Sequence, residues 1–256
     1  MRDGDKLIEI METLRAPGGC PWDREQTHET LKPYLLEETY EVIDAIETGD
    51  IDNLIEELGD LLFQIVFHAE LGREDGLFSL YDIFEGINKK MVSRHPHVFA
   101  EVQAETPEAV VTNWEAIKQK EKHTQTISDE MDRIPRAFTA LMAAYKIQSK
   151  ASKTGFDWQD PRPALDKVFE EAGEVSQELS GQDPKALEEE LGDLLFAAVN
   201  VVRLAGYQPE LVLDKGNAKF KKRFATMESL AGRDGVKLSD CTLEQQENYW
   251  QKAKKA

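Results

Sequence analysis

The chain repeats itself, and this repeat constrains the fold more than any other feature of the sequence. Residues 54–67 read LIEELGDLLFQIVF, and residues 187–200 read LEEELGDLLFAAVN, with ten of fourteen positions identical. The segments before them, 35–42 and 168–175, match at the same offset of 133 residues. A chain of 256 residues that contains two copies of one unit is predicted to form two tandem domains.

Apolar residues recur at helical spacing in both copies. The first copy places one stripe at Leu54, Leu58, Leu61, Leu62 and Ile65, and the second places the same stripe 133 residues later. Strand signals are weak throughout. The pattern therefore predicts an all-α protein with two tandem helical-bundle domains related by internal duplication.

Turn signals divide each copy into a helical hairpin. Gly49 and Gly181 stand where helices can end, and Asp52 or Asp183 can cap the helix that follows. The polar run 122–132, followed by a proline, predicts a linker. We therefore expect an N-terminal domain over 1–122, a linker over 123–135 and a C-terminal domain over 136–256.

Charge and composition limit the possible partners. The formal net charge of −18 opposes binding to nucleic acid, because such a surface repels the phosphate backbone. The sequence contains neither the run of about 20 apolar residues that spans a membrane nor the apolar core of a signal peptide, so we expect a cytoplasmic protein without a membrane partner. Cys20 and Cys241 lack metal-ligand spacing and are predicted to be free thiols.

Acidic residues repeat at the same places in both hairpins. The first helix carries E-E-x-x-E and the second E-E-x-G-D, and residues three apart share a helix face. Glu41 lies eight residues before Gly49 and Glu57 eight residues after it, so both are about 12 Å from the bend. We expect four carboxylates to converge in each unit: Glu38, Glu41, Glu57 and Asp60 in the first, and Glu171, Glu174, Glu190 and Asp193 in the second.

Such a cluster needs compensation, because like charges about 5 Å apart repel by roughly 3 kcal/mol at an effective dielectric of 20. All-oxygen ligands favour Mg²⁺, Mn²⁺ or Ca²⁺. A di-iron site in a helical bundle would require histidine ligands. All five histidines lie at or before His123, so the C-terminal domain expected over 136–256 has none. Solvated surface charge is the alternative, but the retention of both pairs in both copies favours metal binding. Gly59 and Gly192 suggest close approach of a neighbouring helix or a ligand.

A triphosphate would also need cationic side chains. In the second unit the candidates are Lys167, one turn before Glu171, and three residues on a later helix, Lys219, Lys222 and Arg223. Each of them is also readable as a surface charge. Trp250, like Trp114, fits either a base-stacking role or an anchor for the terminal helix.

The acidic motifs, each present twice, closely resemble those of the MazG family of all-α nucleotide pyrophosphohydrolases. The resemblance covers nearly the whole chain and includes GCPWD at 19–23, RHPHVF at 94–99 and GFDW at 155–158. It implies hydrolysis of ribo- and deoxyribonucleoside triphosphates to monophosphate and pyrophosphate with Mg²⁺, for which we expect Mn²⁺ to substitute. It also implies a homodimer whose second domain carries the activity.

The resemblance carries over residue by residue. It implies Glu171, Glu174, Glu190 and Asp193 as metal ligands, and Lys167, Lys219, Arg223 and Trp250 as nucleotide contacts. Glu170 and Glu189, beside the ligands, are candidates for the general base.

Two other functions fit the same residues. The chain could be a non-catalytic sensor of magnesium and nucleotide that acts in stress signalling, or a purely structural adaptor. Within the enzyme hypothesis, Lys167 aligns with Tyr34 and Lys222 with Ser93, while the first unit gains only Lys89. We therefore expect the N-terminal domain to bind metal, to turn over nucleotides poorly and to serve dimerisation or regulation.

Overall fold

A computed structural model describes residues 3–100, 104, 106–122, 126–181 and 183–255. Helices account for all regular structure in these ranges, and no strand occurs in them. The prediction of an all-α fold is confirmed. No helix within this part of the chain is long and apolar enough to cross a membrane.

The chain divides into two compact units, unit 1 (residues 1–122) and unit 2 (residues 123–256). The helices of unit 1 are α1 (Asp3–Arg15), α2 (Pro21–Glu25), α3 (Lys32–Thr48), α4 (Ile51–Glu74), α5 (Leu80–Arg94), α6 (Pro96–Phe99) and α7 (Pro107–Lys122). Those of unit 2 are α8 (Ile127–Asp132), α9 (Ala140–Ala151), α10 (Pro161–Glu178), α11 (Pro184–Leu204), α12 (Pro209–Arg233) and α13 (Leu243–Ala253).

The duplicated segments form the hairpins α3–α4 and α10–α11, as the repeat predicts. Gly49 ends α3 in the left-handed region, with φ of 71°. Asp50, not Asp52, caps α4 and accepts a hydrogen bond from the Asn53 amide, because the glycine is followed at once by the new helix. In unit 2, Asp183 caps α11 as expected.

The segment predicted as a linker contains the short helix α8. Its N-terminus has a capping box, in which Thr126 and Asp129 exchange side-chain and backbone hydrogen bonds. Glu130 of this helix is buried and forms an ion pair with Lys150 of α9 at 2.7 Å. The polar residues that suggest a linker in sequence therefore include a helix cap and a carboxylate in an ion pair.

The two units fill their interiors differently. In unit 1, α1 lies against the hairpin and buries large side chains, among them Met11, Leu31 and Phe67. In unit 2, α9 lies against α11, and the most completely buried apolar residues are alanines, Ala164 and Ala231, each 1% exposed. Unit 2 therefore leaves more space beside its hairpin.

Candidate functional site

Three carboxylates meet between the two helices of the unit 2 hairpin. Glu171 and Glu174 lie on α10 and Glu190 on α11, and each offers an oxygen within 4.8 Å of the others. Glu171 is buried, at 5% exposure, and the other two are half-buried. Unit 1 brings together the equivalent residues Glu38, Glu41 and Glu57 by the same criterion.

The predicted fourth carboxylate lies outside this close group in both units. Neither Asp193 nor Asp60 belongs to the group of oxygens within 4.8 Å, and both side chains are exposed. Three of the four predicted ligands in each unit thus form the close group, and the assignment of Asp193 and Asp60 as the fourth stays a prediction; Asp193 lines the same cavity as Glu171.

A lysine compensates the unit 2 cluster. Lys167 Nζ contacts Glu171 Oε1 at 2.7 Å and Glu170 Oε1 at 2.8 Å. The hydrogen bond from Lys167 lowers the pKa of the Glu171 carboxyl, and the hydrogen bond with Glu171 raises the pKa of Glu174. The pKa values of the two acids on α10 are thereby shifted in opposite directions.

The unit 1 cluster has no such lysine, because Tyr34 occupies the equivalent position. Burial, followed by the charges of Asp60 and Glu41, raises the pKa of Glu38. Burial and the charge of Glu41 likewise raise the pKa of Glu57. The acids of unit 1 therefore repel one another, and no described residue of that unit compensates them as Lys167 does in unit 2.

The donor set of each cluster fits a hard divalent cation. Magnesium is bound by oxygen at about 2.0–2.1 Å and usually through a few carboxylates, while the remaining positions stay open to water and phosphate. Three carboxylate oxygens within 4.8 Å of one another can reach one such ion after small side-chain rotations. The uncompensated repulsion in unit 1 is a second reason to expect a cation.

The predicted bases lie beside the cluster. Glu170 is exposed and is engaged by Lys167, as described above. Glu189 is exposed on α11 next to Glu190. Neither belongs to the group of mutually close carboxylates.

The predicted nucleotide contacts on α12 and α13 form a separate surface. Lys219 and Lys222 are exposed, and Arg223 is half-buried. Trp250 packs against Phe220, with ring centroids 5.1 Å apart, which joins α13 to α12. Among the described residues, the cavity that contains Lys167 and Glu171 is lined by α9, the loop after it, α10 and α11, and not by these four side chains.

A cavity of about 730 Å³ lies next to the acidic cluster of unit 2, and sequence reasoning missed most of it. Lys167, Glu171 and Asp193 line one part, and aromatic and small residues line the rest: Phe156, Trp158, Phe196, Ala151, Ala164 and Ala197. Phe156 and Trp158 belong to the GFDW motif at 155–158. Its remaining polar residues are Gln148, Asp157, Asn200 and Arg203.

Comparisons with known proteins agree with these observations. The family model described as the MazG nucleotide pyrophosphohydrolase domain matches residues 26–99 and 159–227, once in each unit. A protein of Escherichia coli K12 named nucleoside triphosphate pyrophosphohydrolase is 46% identical over 258 residues, covering 100% of this chain and 98% of that protein.

Two proteins of Thermotoga maritima are also similar. One, named nucleoside triphosphate pyrophosphohydrolase/pyrophosphatase MazG, is 45% identical over 250 residues, covering 98% of this chain and 95% of that protein. A crystal structure of a mazG-related protein from the same organism is 31% identical and covers 45% of this chain and 98% of its own, with a TM-score of 0.39. On the family match and the full-length identity, the chain belongs to the MazG nucleotide pyrophosphohydrolase family.

Proposed function

We propose that this chain hydrolyses nucleoside triphosphates, both ribo- and deoxyribo-, to the monophosphate and pyrophosphate, with Mg²⁺ held by the acidic cluster of unit 2. The observation that carries the proposal is the meeting of Glu171, Glu174 and Glu190, with Lys167 beside them, at the edge of a large cavity. The names of the full-length relatives support the same reaction.

The residues have separate tasks in this proposal. Glu171, Glu174 and Glu190 hold the cation, and Asp193 contributes a further oxygen ligand when substrate is present. Bound Mg²⁺ would neutralise charge on the triphosphate and activate water for attack. When substrate binds, Lys167 breaks its ion pairs with Glu170 and Glu171 and contacts the phosphates instead. A triphosphate attracts it more strongly because it carries more negative charge than one carboxylate. Glu189, which is exposed and unlike Glu170 is not held by Lys167, is the better placed general base.

We further propose that two copies of the chain form a homodimer. Apolar side chains are exposed along both hairpins, including Ile46, Ile55, Leu62, Phe169, Leu179 and Leu195. A Cβ added at Gly59 or Gly192 would meet nothing within 4 Å, so packing within the unit does not explain these mid-helix glycines. A second copy or the substrate would occupy that open space.

The homodimer would also explain the basic residues that lie away from the cluster. Lys219, Lys222 and Arg223 would reach the phosphates bound to the other copy, and Trp250 would hold α12 in position through Phe220. Mixing two inactive variants tests this arrangement. One variant is the double substitution Lys222→Ala/Arg223→Ala, and the other is Glu190→Gln. If their mixture recovers up to about a quarter of wild-type activity on subunit exchange, the basic residues act across the interface. Failure to recover activity despite exchange would place all of them in one copy.

The reaction itself is tested with purified protein, a panel of NTPs and dNTPs, and Mg²⁺. Products resolved by phosphorus NMR should be the monophosphate and pyrophosphate. Nucleoside diphosphate with orthophosphate would exclude the proposed reaction. Binding of the nucleotide without turnover would instead indicate a sensor.

Metal dependence is tested on the same assay. Because the ligands are all oxygen, EDTA should abolish turnover reversibly, and Mn²⁺ should restore it as Mg²⁺ does. Ca²⁺ should bind but support little turnover, because it is larger and less strictly octahedral. Full activity of metal-free protein would contradict the role assigned to the cluster.

A further inference from the structure

Two histidines of unit 1 form a hydrogen-bonded pair between separate segments of the chain. His28 lies in the segment 26–31 before α3, and His68 lies on α4. Their Nδ1 atoms are 2.7 Å apart, and the two rings are nearly parallel, with centroids 5.0 Å apart. Phe78, in the loop between α4 and α5, stacks on the His28 ring at 6.1 Å. The pair therefore joins three parts of unit 1.

This hydrogen bond depends on protonation. One ring must donate its Nδ1–H and the other must accept with an Nδ1 lone pair, so the bond can form when both rings are neutral or when one is protonated. When both rings are protonated, each Nδ1 carries a hydrogen and the two positive charges repel. The second proton therefore cannot bind unless the rings separate.

The surroundings also oppose the second charge. Burial, followed by the charge of His28, lowers the pKa of His68. Among the described residues, no ion pair or hydrogen bond joins a charged side chain to either ring. The charged groups on the segments that meet here are Glu12 and Arg15 of α1, Asp23, Arg24 and Glu25 of α2, Glu29, Lys32 of α3, Glu70, Arg73 and Glu74 of α4, Asp75, and Asp82 of α5.

The segment that His28 holds is part of the core of unit 1. Leu31, three residues after His28, is 1% exposed and belongs to the core cluster formed with side chains of α1 and α4. The Leu31 amide donates to the Thr27 carbonyl at 3.2 Å, so a backbone hydrogen bond closes this turn. Separation of the two rings would therefore loosen both the turn and the burial of Leu31.

Unit 2 has no counterpart of this pair. By the offset of the repeat, Pro161 stands at the position of His28 and Val201 at that of His68. The sequence has no histidine after His123. A response to pH that is carried by imidazoles must therefore originate in unit 1.

We propose that the His28–His68 pair is a pH-sensitive switch, which holds the segment 26–31 against α4 while at most one ring is protonated and releases it when both are. Release exposes Leu31 and frees the start of α3, the helix on which Glu38 and Glu41 lie. The switch acts within unit 1 whether or not unit 2 hydrolyses nucleotides.

The pH range follows from the protons that each state binds. In the released segment, both rings take up protons near the ordinary histidine pKa of 6.5. The closed pair accepts one proton but opposes the second, so the released state binds more protons below that pH. Closure is therefore most stable above pH 6.5 and is lost as the pH falls, with the released fraction rising up to about tenfold per pH unit. The raised pKa values of Glu38 and Glu57 act in the opposite direction, because they stabilise the folded state as the pH falls.

Hydrogen exchange followed by mass spectrometry tests the switch in the full-length chain at about pH 7.5 and about pH 5.5. After correction for the intrinsic pH dependence of exchange, protection of peptides that cover 26–35 should fall by up to about tenfold at the lower pH. Peptides that cover the equivalent residues of unit 2, 159–168, should keep their protection. Unchanged protection of 26–35, or an equal loss in both units, would contradict the switch.

His68→Asn removes one titrating ring and keeps an amide that can hydrogen-bond to His28 Nδ1. Protection of 26–35 should then be the same at both pH values. The matched control is His95→Asn, because His95 is another half-buried histidine of unit 1, and its Nδ1 binds the Met91 carbonyl at 2.6 Å. This control should keep the wild-type response. If His68→Asn loses protection at both pH values and still shows the wild-type ratio, His68 is merely structural and the switch is wrong.

A second measurement uses wild-type protein and does not depend on the folding of a variant. NMR of the imidazole nitrogens should show one ring of the pair with its proton on Nδ1 above about pH 7. The pair should take up its first and second protons at clearly separate pH values. Two rings that titrate independently near the ordinary value of 6.5 would overturn the proposal.

Discussion

Unit 1 and unit 2 contain the same acidic hairpin but surround it differently. Both bring three carboxylates within 4.8 Å. Unit 2 adds Lys167 and a cavity of about 730 Å³, whereas unit 1 has Tyr34 at the lysine position and fills the space with Leu31 and Phe67. Metal ligands alone therefore do not separate an active copy from an inactive one.

The difference suggests a division of roles after duplication. A cluster of acids can bind a cation in either unit, but substrate also needs a compensating cation and room for the nucleoside. In unit 1, large buried side chains fill the corresponding space. They stabilise the unit, because each buried aliphatic residue contributes about 1.5–3 kcal/mol. We therefore propose unit 2 as the catalytic unit and unit 1 as a metal-binding and structural one.

The largest expected effect comes from removing one ligand in each unit. Glu190→Gln should reduce turnover by about 100-fold or more, because losing roughly 3 kcal/mol of charge stabilisation corresponds to that factor. The matched change Glu57→Gln should leave most of the activity. Steady-state rates of pyrophosphate release measure both, with circular dichroism as a check on folding. Equal losses in the two variants would mean that both units are active.

The second effect concerns stability rather than turnover. Leu31→Ala should destabilise unit 1 by about 3 kcal/mol, because Leu31 is 1% exposed and leaves a cavity in a packed core. Urea unfolding measures this in a Trp158→Phe/Trp250→Phe background, where the remaining tryptophans report on unit 1. Leu77→Ala, at an exposed position, should change stability by less than about 0.5 kcal/mol. A comparable loss from Leu77→Ala would show that burial does not distinguish the two sites.

The third effect is that of the lysine. Lys167→Met keeps much of the aliphatic length and should raise KM for nucleotide about tenfold, because it removes one charged hydrogen bond at a half-exposed site. Lys185→Met removes an exposed lysine from the start of α11 and should leave KM unchanged. KM rising equally in both variants would point to net charge rather than to contact with the phosphates.

The sequence predicted what helix geometry alone determines. The all-α fold follows from periodicity, and the meeting of Glu171 with Glu174 follows because residues three apart share a helix face. The short helix over 127–132 was not predicted, because a capping box and the acidic Glu130 resemble a polar linker in sequence.

The cavity depends on tertiary packing, so the sequence of one unit could not reveal it. Gln148, Ala164 and Asn200 come from three different helices, and nothing in their local sequence says that they face each other. A small residue is informative only against a larger one in an equivalent place. In the repeat, Ala164 stands where unit 1 has Leu31, and Asn200 stands where it has Phe67. These two replacements by smaller residues could have indicated the cavity from the sequence.

The smallest expected effect is the contribution of one arginine–carboxylate pair in each unit to its response to acid. In unit 1, Arg15 Nη2 contacts Glu74 Oε2 at 2.6 Å, and this hydrogen bond lowers the pKa of Glu74 below its ordinary value of 4.5. In unit 2, the hydrogen bond from Arg203 lowers the pKa of Asp157 below its ordinary value of 3.8.

A carboxylate with a lowered pKa in the folded state stabilises the fold above its unfolded pKa, and this contribution is lost as the pH falls through the folded value. The Arg15–Glu74 pair of unit 1 should therefore begin to lose its contribution below pH 4.5, and the Arg203–Asp157 pair of unit 2 only below pH 3.8. Glu74→Gln should flatten the acid dependence of unit 1, and Asp157→Asn that of unit 2. Urea midpoints measured from about pH 6 to about pH 3, in backgrounds that keep the tryptophans of one unit, compare the two. An unchanged slope in either variant would mean that its ion pair does not contribute to acid sensitivity.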